Sequence, residues 1–225
     1  MKFLCLHGMG TSSQIFKMQT AAFRYELGDG HTYEFVQGIV PWELPGELDK
    51  IADPSNQYYA YYDLNSTASF ITALDGLEKY AETEGPFDGV MAYSQGAGLA
   101  AMLLVRRQLL RPREMPLFRC ALFFSPLQVY DPVAYVERNE IKVLDGNTIK
   151  MSSLSIPITI IYGEKDNRKM ECLNFQRICD PHILSVYVHH GGHEVPGLRV
   201  KANDLKETVK MARRCIIRAE LSGTI

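Results

Sequence analysis

The chain has the length and composition of one soluble globular domain. Its 225 residues are 46% apolar and 22% charged, which suffices for one sizeable core. The formal net charge of −2 excludes the strongly basic surface that binding to nucleic acid or to an anionic membrane requires. We therefore expect one domain over residues 1–225 that uses neither of them as a partner.

Cysteine usage predicts a reducing compartment. No two of the five cysteines have C-x-x-C or zinc-ligand spacing, and most lie in apolar runs, which predicts buried free thiols. The N-terminal apolar run is too short for a signal peptide, and no run is long enough to cross a membrane. We expect a cytoplasmic protein that needs neither a metal nor a cofactor. The cysteines are Cys5, Cys120, Cys172, Cys179 and Cys215.

Short apolar runs alternate with helical patterns along the chain. The runs that predict strands are residues 2–6, 33–36, 90–93, 120–124, 156–162 and 184–188. The patterns that predict helices are residues 13–27 with Gly28 as a stop, 67–84, 97–110, 170–178 and 203–219. Strands that alternate with helices are typical of a parallel sheet covered by helices on both faces.

Two segments fall outside this alternation. Residues 38–67 form a long stretch without a regular pattern, and such stretches inside a compact domain are usually functional. They hold the only tryptophan, Trp42, and tyrosines between 58 and 62 that either cover the core or form a wall of a binding site. Residues 127–153 show weak periodicity, which predicts a short insertion, with a lid over the site as one interpretation.

The middle of the chain predicts a strand, a sharp turn with a serine, and a helix. The sequence there is Ala92-Tyr93-Ser94-Gln95-Gly96, close to the G-x-S-x-G nucleophile elbow. Small residues two positions before and after the serine let strand and helix approach each other, and Ala92 is still small. The helix N-terminus favours an anion beside the serine. The alternative is a plain junction of strand and helix with an ordinary serine.

Two further candidate groups follow other predicted strands. Asp166 follows the fifth strand and His193 the sixth, and the carboxyl ends of parallel strands meet at one edge of a sheet. Ser94 is then the nucleophile, His193 the base that removes its proton, and Asp166 the carboxylate that orients the imidazole. The chain order Ser, Asp, His is one of the known orders of such triads.

An oxyanion formed at Ser94 needs two N–H donors. We expect them from the backbone amides of Gln95, directly after the nucleophile, and of Met9, in the turn after the first strand. His7 in the same turn is interpreted as a residue that stabilises the turn rather than as an acid or base.

The assignments of the acid and the base have alternatives. Asp166 is otherwise the N-cap of the helix that follows it, with Glu164 as the other candidate acid. His189 and His190 compete with His193 for the role of base. They lie within or just after the strand, so His193 in its glycine-flanked loop is preferred.

Five segments carry a family resemblance: FLCLHGMGTSSQIFKMQT, YYAYYD, FDGVMAYSQGA, IPITIIYGEKD and HHGGHEVP. Together they resemble the fungal serine-hydrolase family of the α/β-hydrolases over nearly the whole chain. Because the chain starts on the His-Gly strand, the resemblance implies a sheet without the N-terminal hairpin of larger members. We expect an α/β-hydrolase fold with six mainly parallel strands in the order 2-1-3-4-5-6 and a short lid insertion.

The resemblance also implies an activity. It implies an esterase or thioesterase with an acyl-enzyme intermediate, similar to enzymes of fungal polyketide pathways in secondary metabolism, whose acyl substrate an acyl carrier domain of a synthase delivers. Trp42, Tyr59 and Tyr61 are expected to bind a mainly apolar acyl group. The alternative function is a non-hydrolytic cyclase, lyase or binding protein on the same fold.

Overall fold

The apolar runs of the sequence form the strands of a parallel sheet. The computed structural model describes residues 1–46, 53, 55–144, 154–197 and 202–222. Within these residues the strands are β1 (Lys2–Leu6), β2 (Thr32–Val36), β3 (Val40–Trp42), β4 (Tyr58–Ala60), β5 (Gly89–Tyr93), β6 (Cys120–Phe124), β7 (Ile158–Gly163) and β8 (Leu184–His189). The helices are α1 (Ser13–Gln19), α2 (Ala21–Leu27), α3 (Thr67–Thr83), α4 (Gln95–Leu110), α5 (Pro132–Arg138), α6 (Lys169–Gln176) and α7 (Ala202–Ser222).

The main sheet of the described residues has six strands in the order β2-β1-β5-β6-β7-β8, and all neighbours pair in parallel. Counted among themselves along the chain, these six strands have the predicted order 2-1-3-4-5-6. Strands β5 and β6 are buried at every position, as expected where helices cover both faces of a parallel sheet. The predicted fold class is therefore confirmed.

Two apolar clusters fill the space between the sheet and its helices. Successive side chains of a strand point to opposite faces, so in β1 Leu4 and Leu6 belong to one cluster and Phe3 and Cys5 to the other. Helices α3, α4 and α6 contribute to the first cluster, and α1, α2 and α7 to the second. The apolar residues of α7 at helical spacing are buried: Leu205, Val209, Ala212, Ile216 and Ala219.

The structure differs from two of the predicted elements. The single helix predicted over 13–27 is two helices that meet at Thr20, whose hydroxyl donates to the Phe16 carbonyl at 2.8 Å; such a bond back to the preceding turn tends to bend a helix. The stretch 38–67 was wrongly predicted to lack regular structure, because β3 and β4 form an antiparallel pair within it. Each of these strands has only three residues, too few for a visible alternation of apolar residues.

The insertion after β6 contains helix α5, which its sequence did not predict. Asp131 caps this helix by accepting bonds from the amides of Val133 and Ala134. Tyr130 and Val143 form a bridge that closes the base of the insertion. Residues 145–153, the remainder of the segment interpreted as a lid, lie outside the described residues.

The five cysteines are buried free thiols, as predicted. Over the described ranges, no helix has the length and apolar character needed to cross a membrane.

Substitution of Gly96 tests the contact between β1 and α4. A Cβ atom at Gly96 would lie 2.5 Å from the carbonyl oxygen of His7 and 2.8 Å from Cβ of Leu6. Gly96→Ala should therefore lower the free energy of unfolding by about 1–3 kcal/mol, measured by urea denaturation. Gly98→Ala is the matched control, since its Cβ would meet nothing closer than 3.5 Å and alanine favours a helix by about 1 kcal/mol. Equal stability of the two variants would contradict the proposed contact.

Candidate active site

Ser94 occupies a strained turn between β5 and α4. Its backbone has φ 53° and ψ −117°, a conformation that costs a non-glycine residue on the order of 1–3 kcal/mol. The amide of Ser94 donates to the Phe124 carbonyl at 2.9 Å, and its carbonyl accepts from the amides of Gly98 and Leu127 at 3.1 and 3.2 Å. These bonds to β6, to α4 and to the insertion hold the turn in place.

The structure brings Ser94, His193 and Asp166 into one hydrogen-bonded chain. The distance from His193 Nε2 to Ser94 Oγ is 3.0 Å, and His193 Nδ1 lies 3.0 Å from each carboxylate oxygen of Asp166. The Asp166 carboxylate is fully buried, whereas 19% of the His193 side chain is exposed. The imidazole thus stands between a buried acid and the serine hydroxyl.

The surroundings of Asp166 keep it ionised. Burial by itself would raise the pKa of this carboxyl, but the hydrogen bond and the charge of His193, together with the Arg168 amide at 2.7 Å and Ser125, outweigh it and hold the pKa below its usual range. The cap of α6 is Arg168, not Asp166, so the N-cap alternative is wrong. The rival acid, Glu164, is exposed.

Close packing on the end of β7 positions the loop that carries His193. A Cβ at Gly163 would lie 2.2 Å from the Gly191 carbonyl oxygen, so only glycine allows this approach. The Gly191 carbonyl also accepts from the Lys165 amide at 3.0 Å. From the nucleophile strand, the Tyr93 hydroxyl donates to the His193 carbonyl at 2.8 Å, and the two rings lie 5.3 Å apart. Tyr93 was not singled out by sequence; only its place before the serine hinted at it.

The two neighbouring histidines have other partners. His189 is buried, which lowers its pKa, and its Nδ1 accepts from the Gly191 amide at 3.1 Å. Nδ1 of His190 lies 3.0 Å from a carboxylate oxygen of the buried Asp204 in α7. Among the described residues, neither ring is hydrogen-bonded to Ser94. The preference for His193 therefore agrees with the geometry.

His7 is a neutral residue that ties the turn after β1 to the end of β2. Its Nε2 accepts from the Gly38 amide at 2.9 Å, so Nδ1 carries the proton and donates to the Gly8 carbonyl at 2.7 Å. Burial lowers the pKa of His7 to about 4. The interpretation of His7 as a turn-stabilising residue fits these contacts. The Gly8 carbonyl belongs to the same planar peptide unit as the Met9 amide, so its bond with His7 also orients that amide.

The two predicted oxyanion donors belong to residues just after the ends of β1 and β5. Gln95 is the first residue of α4, where a helix leaves its backbone amides without an intrahelical partner. Met9 and Gln95 both line a cavity of about 200 Å³. The Gln95 side chain has a separate structural role, since it accepts from the Tyr61 amide at 2.8 Å and donates to the Tyr62 carbonyl at 2.9 Å.

The cavity beside Met9 and Gln95 differs from the predicted binding site in its tyrosines. Trp42 lies on its wall as expected, but Tyr59 and Tyr61 are absent from its lining, and Tyr62 lines it instead. Tyr61 is buried, and its hydroxyl accepts from the His7 amide and donates to the Val36 carbonyl. Tyr61 is thus part of the framework. The full lining is Met9, Trp42, Tyr62, Asp63, Leu64, Asn65, Gln95, Leu127, Gln128, Tyr130, Arg168 and Glu171.

Comparison with solved structures identifies the class of the fold. A carboxylesterase from Mesorhizobium loti superposes with a TM-score of 0.60 over 94% of this chain and 88% of its own, at 14% identity. A carboxylesterase from Bacillus cereus gives a TM-score of 0.54 over 94% of this chain and 87% of its own, also at 14% identity. At these identities the likeness shows the fold alone, which is that of the α/β-hydrolases.

Comparison of sequences identifies the family. The model of the family described as "Serine hydrolase (FSH1)" matches residues 1–205, so the chain belongs to this family of serine hydrolases. It is 35% identical over 206 residues to esterase FPY3 of Fusarium mangiferae, covering 91% of this chain and 92% of that protein. Esterase alnB of Emericella nidulans is 25% identical and covers 87% of this chain and 90% of its own.

The lowered pKa of His7 predicts that acid weakens the fold. A histidine in the unfolded chain has a pKa near 6.5, whereas burial lowers the pKa of folded His7 to about 4. Its contribution to stability is therefore complete above pH 6.5 and is lost as the pH falls towards 4, by about 3 kcal/mol in total. The measurement is the free energy of unfolding from urea titrations between pH 7 and 4.

His7→Gln should reduce the slope of the free energy of unfolding against pH, because glutamine does not titrate. The reduction should correspond to at most one proton taken up on unfolding. The slope that His189 contributes in the same direction should remain in the variant. A slope identical to that of the parent protein would contradict the assignment to His7.

Proposed function

We propose that this serine hydrolase cleaves a carboxylic ester or thioester through an acyl-enzyme intermediate on Ser94. The observation that carries the proposal is the continuous chain of hydrogen bonds from Ser94 through His193 to Asp166, with every link at 3.0 Å. The family match and the relatives named as esterases support it. We propose that the same site hydrolyses esters and thioesters of acyl groups from fungal secondary metabolism, including thioesters presented by an acyl carrier domain.

The proposed mechanism begins with proton transfer. Nε2 of His193 removes the hydroxyl proton while Ser94 Oγ attacks the carbonyl carbon of the substrate. The imidazolium then gives this proton to the departing alcohol or thiol, which leaves the acyl group on Ser94. A water molecule attacks the acyl-enzyme with the same base, and the acid is released. Asp166 remains ionised throughout, since its low pKa suits it to stabilise the imidazolium.

The negative charge that develops on the substrate carbonyl oxygen needs fixed donors. We assign this role to the backbone amides of Met9 and Gln95, two residues that line the same cavity. Loss of one such donor typically raises the barrier by about 3 kcal/mol. The N-terminus of α4 adds its partial positive charge at the same place.

Covalent labelling tests the nucleophile directly. A fluorophosphonate probe should modify the parent protein once, at Ser94, and Ser94→Ala should show neither labelling nor turnover of an activated ester. The control is Ser222→Ala, which removes a hydroxyl at the end of α7 that donates to the Arg218 carbonyl and should leave both signals unchanged. Undiminished turnover by Ser94→Ala, measured on purified and folded protein, would refute the proposal.

The base is tested by comparing two histidines that each bind a buried carboxylate through Nδ1. His193→Ala should lower turnover by about 10³-fold or more, as removal of a triad base does. His190→Ala breaks the corresponding pair with Asp204 and should cost far less, because that pair does not reach Ser94. Turnover of 4-nitrophenyl acetate decides between them. A larger loss from His190→Ala would show that the wrong histidine has been assigned.

A further inference from the structure

The cavity lined by Met9 and Gln95 has a mainly apolar surface, as expected from the sequence, but it also contains charged and amide side chains. Trp42, Leu64 and Leu127 contribute apolar surface, and charged or amide side chains make up much of the remainder. Met9 and Gln95 line this cavity, and Gln95 directly follows Ser94, so the cavity is where we expect a substrate's acyl group to lie. Its polar groups therefore decide which acyl groups fit.

The only cation among the described lining residues already has a partner. Nη1 of Arg168 donates to Oε1 of Glu171 at 2.6 Å, and Oε2 of Glu171 accepts from the Gln128 amide at 2.6 Å. The charge of Arg168 is thus offset by Glu171. A substrate carboxylate would have to compete with Glu171 for this guanidinium, which makes Arg168 a weak counter-charge.

Asp63 adds a second negative charge to the lining. Its Oδ1 accepts from the backbone amide of Asn65 at 2.9 Å and from the Asn65 side chain at 3.1 Å. No hydrogen bond to the other oxygen, Oδ2, is found from the residues that the structure describes. With Arg168 and Glu171 offsetting each other, the described lining carries a formal charge of −1 and one free carboxylate acceptor.

Neutral polar groups complete the cavity. The hydroxyl of Tyr130 and the indole N–H of Trp42 both belong to lining residues, and neither takes part in a hydrogen bond found within the described ranges. A ligand hydroxyl can donate to the Asp63 carboxylate and accept from either of these groups. A ligand carboxylate accepts only, and it would be repelled by Asp63.

We infer that this cavity selects an uncharged acyl group that bears hydroxyl groups and rejects one that bears a free carboxylate. The inference rests on the proposed ester or thioester hydrolysis at Ser94 and names the class of its substrate. It refines the expectation of a mainly apolar acyl group, because a plain hydrocarbon chain against Asp63 would leave this carboxylate without water.

Three activated esters with the same leaving group and chain length provide the test. They are the 4-nitrophenyl esters of hexanoic acid, of 6-hydroxyhexanoic acid and of adipic acid, the last with one free carboxylate. One additional hydrogen bond is worth roughly 1 kcal/mol, so kcat/KM for the hydroxy ester should exceed that for the hexanoate about fivefold. The adipate should fall at least about tenfold below the hexanoate, through repulsion by Asp63 and loss of solvation.

Substitutions assign this selectivity to particular residues. Asp63→Asn keeps an oxygen for Asn65 and should raise the adipate-to-hexanoate ratio about tenfold, whereas Asp29→Asn, at an exposed position, should leave the ratio unchanged. Tyr130→Phe should lower the ratio of hydroxy ester to hexanoate about threefold. Tyr25→Phe, at a residue that is 84% exposed, is its matched control.

The outcomes separate this inference from the proposed function. The 4-nitrophenyl acetate assay tests catalysis at Ser94, and failure to hydrolyse any ester would refute the proposed function. The three corresponding amides, titrated against Ser94→Ala by calorimetry, test the order of binding without turnover. If the protein hydrolyses 4-nitrophenyl acetate but prefers the hexanoate or the adipate to the hydroxy ester, the inference is overturned and the proposed function still stands. The order of kcat/KM for the three esters, measured on the parent protein, decides between these outcomes even where a variant fails to fold.

Discussion

The tight junction between β5 and α4 is the constraint on which the site depends. Ser94 holds a strained backbone there, with φ 53°, and the strain persists because bonds from β6 and from the insertion fix the turn. Gly96 then brings α4 against the end of β1, with its amide 3.2 Å from the His7 carbonyl. One junction therefore sets the serine, the helix N-terminus and the neighbouring turn that carries Met9.

Two histidine–carboxylate pairs in one short loop show how position, not chemistry, separates a candidate catalytic group from a structural one. His190 binds Asp204 and His193 binds Asp166, both through Nδ1 at 3.0 Å, and both carboxylates are buried with a lowered pKa. Burial would raise the pKa of each carboxyl, and hydrogen bonds outweigh it. Only His193 reaches the serine. The pair with Asp204 anchors the loop to α7 and leaves His193 at the edge of the sheet.

The segment after β4 shows how one stretch of chain supplies both framework and cavity wall. The Gln95 side chain clamps this segment by bonds to the backbone of Tyr61 and Tyr62. Tyr61 then ties β1 to β2 through its hydroxyl, whereas Tyr62 and Asp63 line the cavity. Tyr61, which was expected to bind an apolar chain, is thus part of the framework. Asp63, the residue after Tyr62, adds a negative charge to the cavity.

The residues alone predicted the six strands of the main sheet, the elbow and the grouping of Ser94, Asp166 and His193, because apolar periodicity is a local property and parallel strands bring their carboxyl ends to one edge. The order of the strands was implied by the resemblance to the serine-hydrolase family. The folded chain was needed to reveal the break at Thr20, the short pair β3 and β4, and the cavity lining. Glu171 in α6 and Arg168, the residue before α6, both line that cavity. Asp63 lines it from a segment more than a hundred residues earlier in the chain. Contacts between such distant segments depend on packing, which no local pattern records.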